Sequence, residues 1–455
     1  MASKSLILAG VAVIALAPSP ALAAPISDEQ AAAILDRLDQ LEREVKALRA
    51  QLGTAQTTQQ RQTEQLPAKI TEVEQAAQTG ENPSVKFKGA PEIRTDNGWS
   101  IKPRGRVLFD FAGLSAPDTI NIPGEGFTNE ARRVRFGVEG SIPGGFGYKV
   151  KVEFSRGVEL MDALLNYKSG GLKLTVGQHN NFQSLEELSS SNVTSFIERS
   201  AFTDAFGFER KVGISAEVKT GDILLQGGMF TDNVADLSDA NDSIGLDGRV
   251  VFAPKVGNTQ LHFGGSVHWR DLSDNISSVR YRQRPLIHSV NTRFINTGRI
   301  SGATTETSYG LEAAVIAGRF HAAGETHWAK VGRTAMPNPT FFGGSIEAGI
   351  FLTDDKREYK GGVFKGTKVN NPLREGGIGA IQFNVRYDRL DLVDAGIIGG
   401  TQDGYMASLI WTPVDHVRFM LNYGHLQYGN ALGIVAGAPN EYSVDVVGAR
   451  AQVSF

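Results

Sequence analysis

The sequence predicts an all-β fold, a transmembrane antiparallel β-barrel of about sixteen strands with an N-terminal α-helical coiled-coil segment. Three observations predict it. From about residue 101 to the C-terminus apolar and polar residues alternate with a period of two, the connections between these runs alternate between short and long, and beyond an N-terminal export signal no apolar run is long enough to cross a bilayer as a helix.

The export signal comes first. Lys4 is followed by an apolar run over 6–17 and then by Ala21-Leu22-Ala23, an A-x-A cleavage pattern, so residues 1–23 read as a signal peptide. An uncleaved anchor is the alternative, but the run falls well short of the roughly 20 residues that a helical span needs. The exported chain can then enter a membrane only as strands. Composition agrees: the apolar fraction is 41%, too low for a helical membrane protein, and with 0 cysteines in 455 residues no disulfide can help to hold the fold. A closed barrel supplies stability through hydrogen bonding and burial instead. Net charge is −3, which points to no nucleic-acid partner.

Residues 24–56 form the second element. Ala31, Ile34, Leu38, Leu41, Val45, Leu48, Leu52 and Ala55 step by three and four, the a and d positions of a heptad, flanked by Arg37, Glu42, Glu44 and Arg49. Such a seam predicts a short oligomerising coiled coil on the periplasmic side; an amphipathic helix resting on the barrel is the alternative. Residues 57–100, rich in Gln, Thr and Glu with Pro67, read as a polar linker.

Residues 101–455 are the barrel. Val107, Phe109 and Phe111 share one face of their run while Arg106 and Asp110 share the other. Val134, Phe136 and Val138 alternate with Arg133, Arg135 and Glu139, and Lys149, Lys151 and Glu153 lie opposite Val150 and Val152. Each run offers one face to lipid and one to water. Short connections fall at 141–147, 169–171, 220–221, 254–259, 317–319 and 413–416, and long ones at 113–130, 180–210, 231–243, 271–307 and 329–344. Sixteen strands leave an aqueous lumen. The stretch 354–377 is long where a short turn is due, and periodicity gives no account of it. The last run ends on Phe455, with Val453 and Ala451 on its apolar face, like the address read by the outer-membrane insertion machinery.

A wide pore needs no reaction chemistry and no cofactor, so its functional residues are those that narrow the lumen and set its charge. Arg280, Arg282 and Arg284 stand at strand spacing on one face of their run, with Arg293 and Arg299 following. Lipid would penalise such a face by roughly 2–4 kcal/mol per arginine near the midplane, so it is expected to line water. Guanidinium offers planar, always-charged donors to oxyanions. The loop 180–210 carries Glu186, Glu187, Ser189, Ser190, Ser191, Asn192 and Thr194, a polar set suited to an inward-folded constriction; an external loop is the alternative.

In these residues the sequence resembles the phosphate- and pyrophosphate-selective porins of the outer membrane. The resemblance covers most of 101–455 and rests on Arg132-Arg133-Val134-Arg135, on the loop segment from Leu185-Glu186-Glu187 to Glu198-Arg199, on Trp269-Arg270-Asp271-Leu272 leading to Arg280-Tyr281-Arg282-Gln283-Arg284, and on Arg386-Tyr387-Asp388. It implies a sixteen-stranded homotrimeric barrel in the outer membrane of a Gram-negative bacterium, a third loop in the pore carrying Arg199, and an arginine ladder for small phosphate-like anions. Arg280, Arg282 and Arg284 fall on that ladder and Arg133 near its start, with Arg135 beside it. The resemblance also implies a long segment at 354–377. Phosphate-selective members place lysines in the inward loop, where this sequence has Glu187 and Asn192. An acid and an amide do not hold a phosphate as ammonium groups do.

Other readings make distinct expectations. A general, non-specific porin would lack an ion preference, and a tethering barrel would act through its coiled coil. An enzymatic barrel needs a nucleophile and base, for which Ser266 and His268 share a strand face but no motif. Asp232, Asp236, Asp239, Asn241 and Asp242 crowd one loop with hard oxygen ligands suited to Ca²⁺, without a known binding-loop spacing; a solvated acidic loop is the alternative.

Overall fold

The computed structural model of the chain describes residues 37, 40–51, 53, 83–118, 120, 125–238, 240–431 and 439–455. The signal peptide expected at 1–23 lies outside the described residues, as do most of the coiled-coil segment's first half and most of the linker. Residues 40–51 are helical, and Leu41, Val45 and Leu48 of the heptad seam are exposed.

Sixteen antiparallel strands form the barrel. Its first half comprises β1 (Ser100–Ser115), β2 (Gly126–Ile142), β3 (Phe146–Glu153), β4 (Glu159–Ser169), β5 (Leu172–Asn180), β6 (Arg210–Thr220), β7 (Ile223–Phe230) and β8 (Ile244–Phe252). The second half comprises β9 (Thr259–Asp271), β10 (Ala303–Ala317), β11 (Phe320–Arg333), β12 (Thr340–Phe351), β13 (Ala380–Asp394), β14 (Ile397–Val414), β15 (Val417–Gly429) and β16 (Tyr442–Ser454). Each strand pairs with the next, and β16 pairs with β1 from Asp445↔Ser115 to Ser454↔Arg106, which closes the sheet and leaves no edge inside it. Phe455 continues the seam by exchanging two 3.0 Å backbone hydrogen bonds with Gly105.

The period-two pattern sorts the side chains. Phe109, Phe111, Phe136, Leu311, Ile346 and Leu421 point outward and are exposed in the isolated chain. Their neighbours Asp110, Arg135, Asp162, Arg249, Glu312 and Arg450 point inward and are buried. Outward aromatic pairs, Trp411 stacked on Phe419 and Trp328 tilted against Phe342, add the amphipathic rings common on lipid-facing barrels.

Two segments depart from the expected plan. Within the expected linker 57–100, Ser84–Lys88 and Ala90–Arg94 form an antiparallel hairpin that continues the sheet through Ile93↔Ile101. The apolar alternation of Val85, Phe87 and Ile93 explains it, because the barrel wall offers Ser100 and Ile101 as the next rung. The long segment between β12 and β13, unexplained by periodicity, contains a second hairpin, Glu358–Lys360 with Val363–Lys365. It folds up into the lumen: Val363 and Phe364 are buried with Leu185, Ala314 and Ile316.

Candidate functional site

The lumen is narrowed chiefly by the 181–209 loop, which enters it between β5 and β6 and carries two short helices, α1 (Leu185–Leu188) and α2 (Ala201–Phe206). Ser184 starts α1 by accepting a 3.1 Å hydrogen bond from the Glu187 backbone. The wall supplies a second cap, since both Glu325 carboxylate oxygens accept from the backbone amides of Leu185 and Glu186 at 2.8 and 2.7 Å. At the other end of α1, Arg199 donates to the carbonyls of Glu186, Glu187 and Ser189 and lies 3.1 Å from the Glu187 carboxylate. Apolar residues then press the loop onto the wall. The wall is glycine where they arrive: a Cβ on Gly343 would stand 2.3 Å from Phe202 Cβ, and one on Gly448 would stand 2.3 Å from Ile197 Cδ1.

Ion pairs finish the attachment. Glu198 receives two hydrogen bonds from Arg132, at 2.6 and 2.9 Å, and a third from Arg450 at 3.2 Å. Arg450 is held in turn by both oxygens of Asp110, at 2.6 and 2.7 Å. Arg386 reaches the Glu198 carbonyl and lies over the Phe196 ring at 4.4 Å. Arg357 bonds Ser195, the Val193 carbonyl and Glu347. Buried arginines on this loop and wall therefore mostly hold structure.

Burial pushes the Glu186 carboxyl up to about 7, against the nearby Arg386 guanidinium and in concert with Glu347 and Glu325. Glu198 is also buried, but Arg132 and Arg450 hold it well below the usual carboxylate range.

The arginines expected at strand spacing call for a correction. Residues 280–284 are not in a barrel strand; they belong to the 272–302 connection, where only Ser278–Val279 pairs with Ile300–Ser301 and Arg282 bridges Asn296. The connection folds into the lumen because its own apolar residues, Leu286, Ile287, Val290 and Phe294, bury against Tyr428, Val444 and Val446. The two-residue alternation survives: Tyr281 and Gln283 are buried toward the wall, while Arg280, Arg282 and Arg284 take the opposite side. Arg280 bonds Asn296, and the Arg284 backbone amide donates 2.6 Å to the Asp204 carboxylate of α2.

Arg133 reaches the lumen by way of a bulge. Leu108 pairs with Arg133 and Phe109 with Ala131, so Arg132 is the extra residue on β2. Adjacent arginines then both face inward. Arg132 goes to Glu198, whereas the Arg133 side chain has no ion pair or hydrogen bond among the described residues.

Three inward cavities follow one another along this side. The first, about 140 Å³, is lined by Arg132, Arg133, Arg199, Arg284 and Arg386 and by the carboxylates Glu187, Glu198, Asp204 and Asp388. The second, about 480 Å³, shares Arg133, Arg199 and Glu187 with the first. It is lined by nine cations, namely Arg106, Arg133, Arg135, Lys149, Lys151, Lys173, Arg199, Arg210 and Lys365, and by three carboxylates, Asp162, Glu187 and Glu217. The third, about 230 Å³, shares Ser190 and Lys365 with the second and opens among His416, Gln452 and Ser454 beside the short turn between β14 and β15.

Of the residues read from the sequence, Arg133, Arg135, Glu187 and Arg199 line the second cavity, and Arg284 lines the first. Arg135 is largely neutralised by Glu153 at 2.6 Å. Asn192 lies at the loop tip, where its carbonyl accepts from Arg418 and Gln452. Glu186 lines none of the three cavities but lies behind the first, 3.4 Å from Arg386, and Ser200 donates to it. Sequence reasoning placed Lys149 and Lys151 on a water face without a role. It also missed Lys173, Arg210 and Lys365, and only the inward alternation on β3 and β5 signals the first of these.

The remaining expectations resolve locally. His268 pairs with Asp247 at 3.0 Å, while the Gly310 backbone borders Ser266, so these two residues make no nucleophile–base pair. In the acidic loop Asp232 is taken by Arg270 and by the Ser243 amide, and Asp236 by Ser238; Asp239 lies outside the described residues. Among the described residues no group of three acidic, His or Cys side chains is placed to hold a metal ion.

A closed sixteen-stranded barrel with lipid on one face and a charged, loop-narrowed lumen on the other defines an outer-membrane channel. Residues 101–455 match the family of phosphate-selective porins O and P, and the chain belongs to that family. A protein of Caulobacter vibrioides, itself uncharacterized, is 47% identical over 382 residues, which is 82% of this chain and 77% of its own length. Among solved structures, a loop-deletion mutant of OmpT from Vibrio cholerae superposes with a TM-score of 0.50 at 12% identity, covering 79% of this chain and 100% of that one. The outer-membrane channel DcaP of Acinetobacter baumannii gives 0.50 at 13% identity, with 80% and 99% covered. At such identities these two show the fold alone. The protein is a bacterial outer-membrane porin, and it is not an enzyme.

Proposed function

We propose that this porin is an anion-preferring diffusion channel whose solutes, small phosphate-like anions, move along the cationic side of the lumen from Arg284 past Arg133 to Lys365. One observation carries the reading: Arg133 lines two successive cavities, and its side chain makes no ion pair or hydrogen bond among the described residues. A guanidinium that the fold leaves unpaired offers its donors to a passing anion, whereas Arg132 and Arg450 are spent on Glu198 and Asp110. The second cavity strengthens the reading, because its cations outnumber its carboxylates nine to three and low-dielectric walls focus that excess.

Phosphate-like oxyanions suit this lining better than halides do, since guanidinium and ammonium groups both donate to several oxygens of one solute. Glu187 does not prevent this, because Arg199 neutralises it at 3.1 Å. Single-channel recording in chloride with added phosphate tests the reading. Block of chloride current by millimolar phosphate supports it, and identical currents with and without phosphate reduce the protein to a non-specific porin. We further propose a homotrimer with the 24–56 helix on the periplasmic side, supported by the heptad seam. Light scattering of the detergent-extracted protein distinguishes three copies from one.

A further inference from the structure

We propose that Asp204, on α2 of the constricting loop, positions Arg284 and thereby sets the anion preference of the first cavity; this rests on the channel reading above. Asp204 is exposed to the lumen, and its carboxylate's one hydrogen bond among the described residues is the 2.6 Å contact from the Arg284 backbone amide. It makes no ion pair within 4.0 Å among the described residues, although its charge still acts on the Arg284 guanidinium from farther off. Arg284 itself has a buried Nε without a partner and lines the cavity together with Asp204 and Arg133.

The geometry explains why a carboxylate should stand beside Arg284 in the lining of the first cavity. The 272–302 connection is not in the barrel sheet here, so the wall does not fix residues 280–284 as strand neighbours would. Gln283 reaches Gln402 on one side of Arg284, and Asp204 takes the amide of Arg284 on the other. Two loops from different parts of the chain are thus locked at the residue whose side chain faces the solute. The carboxylate contributes in two opposed ways: its acceptor oxygen holds the arginine in place, and its charge lowers the local positive potential.

Asp204→Asn and Asp204→Ala separate these contributions. Both remove the charge, but only the asparagine keeps an acceptor for the Arg284 amide. In planar bilayers the anion-to-cation permeability ratio of Asp204→Asn is expected to rise about twofold over the native channel, while that of Asp204→Ala falls at least about twofold below Asp204→Asn. In an Arg284→Gln background the difference between the two variants is expected to vanish, because nothing remains to be positioned. Equal ratios for the two variants, or a difference that persists without Arg284, overturns the proposal. If the native channel has no anion preference, the underlying reading fails; if it has one that Arg284→Gln weakens while the two Asp204 variants agree, only the positioning role fails. Heat-modifiable migration of each variant confirms that its barrel has closed.

Discussion

Arg132 and Arg133 are neighbours in sequence and face the same lumen, yet Glu198 clasps Arg132 through two hydrogen bonds and Arg133 has no such partner among the described residues. The β2 bulge makes this possible, because a regular strand would turn one of the two toward lipid. Neutralising each arginine should therefore give opposite phenotypes. Arg133→Gln is expected to leave the barrel as stable as the native one and to lower the anion-to-cation permeability ratio severalfold. Arg132→Gln leaves Glu198 with Arg450 alone and should destabilise the loop by about 1–3 kcal/mol. Thermal unfolding in detergent and reversal potentials, measured on both variants, check the contrast.

Of the three arginines at alternating positions, Arg284 lines the first cavity, while Arg280 is turned to Asn296. Replacing Arg280, Arg282 and Arg284 together with Gln is expected to weaken or invert the ion preference, and Arg284→Gln alone should account for most of the change. If all three substitutions leave the reversal potential where it was, these residues do not face the solute path.

Glu186 gives the channel a pH dependence. Burial holds its carboxyl up to about 7, above the unfolded value of about 4.3. A carboxyl raised on folding favours the protonated folded state, so its stability contribution is full below the unfolded pKa and is lost as pH rises through 7. Over the same interval a negative charge appears beside Arg386, which lines the first cavity. The anion-to-cation permeability ratio should fall by roughly twofold between pH 6 and pH 8. Glu186→Gln is expected to flatten that profile, whereas Glu198, held ionised by Arg132 and Arg450, adds nothing to it.

Gly343 is where the wall admits the constricting loop. Gly343→Ala forces a Cβ to within 2.3 Å of Phe202, so α2 must shift inward or detach. The expected cost is about 1–3 kcal/mol, and the expected sign is altered single-channel conductance with a weaker ion preference. Unchanged conductance would mean that α2 does not narrow the path.

The barrel was legible in the sequence because its signal is local. Val107, Phe109 and Phe111 against Arg106 and Asp110 already state which face meets lipid, and Val447, Ala449, Ala451 and Val453 repeat the alternation on the strand that pairs with them. The inward loops were only half legible. Arg249 meets the Gly362 carbonyl across 113 residues, Arg450 meets Asp110 across 340, and no local period encodes such pairs. The residues 280–284 show the limit well: their alternation survives in the structure, but an apolar patch at 286–294 takes them out of the sheet and into the lumen. The free state of Arg133 could not be read either, since it depends on a bulge that gives Glu198 to its neighbour.

The central claim is that the unpaired cations of the lumen select for anions. Reversal potential across a planar bilayer under a potassium chloride gradient tests it most directly. A potential displaced toward the chloride equilibrium value is the predicted result; displacement toward potassium, or a bilayer that never conducts, would contradict it.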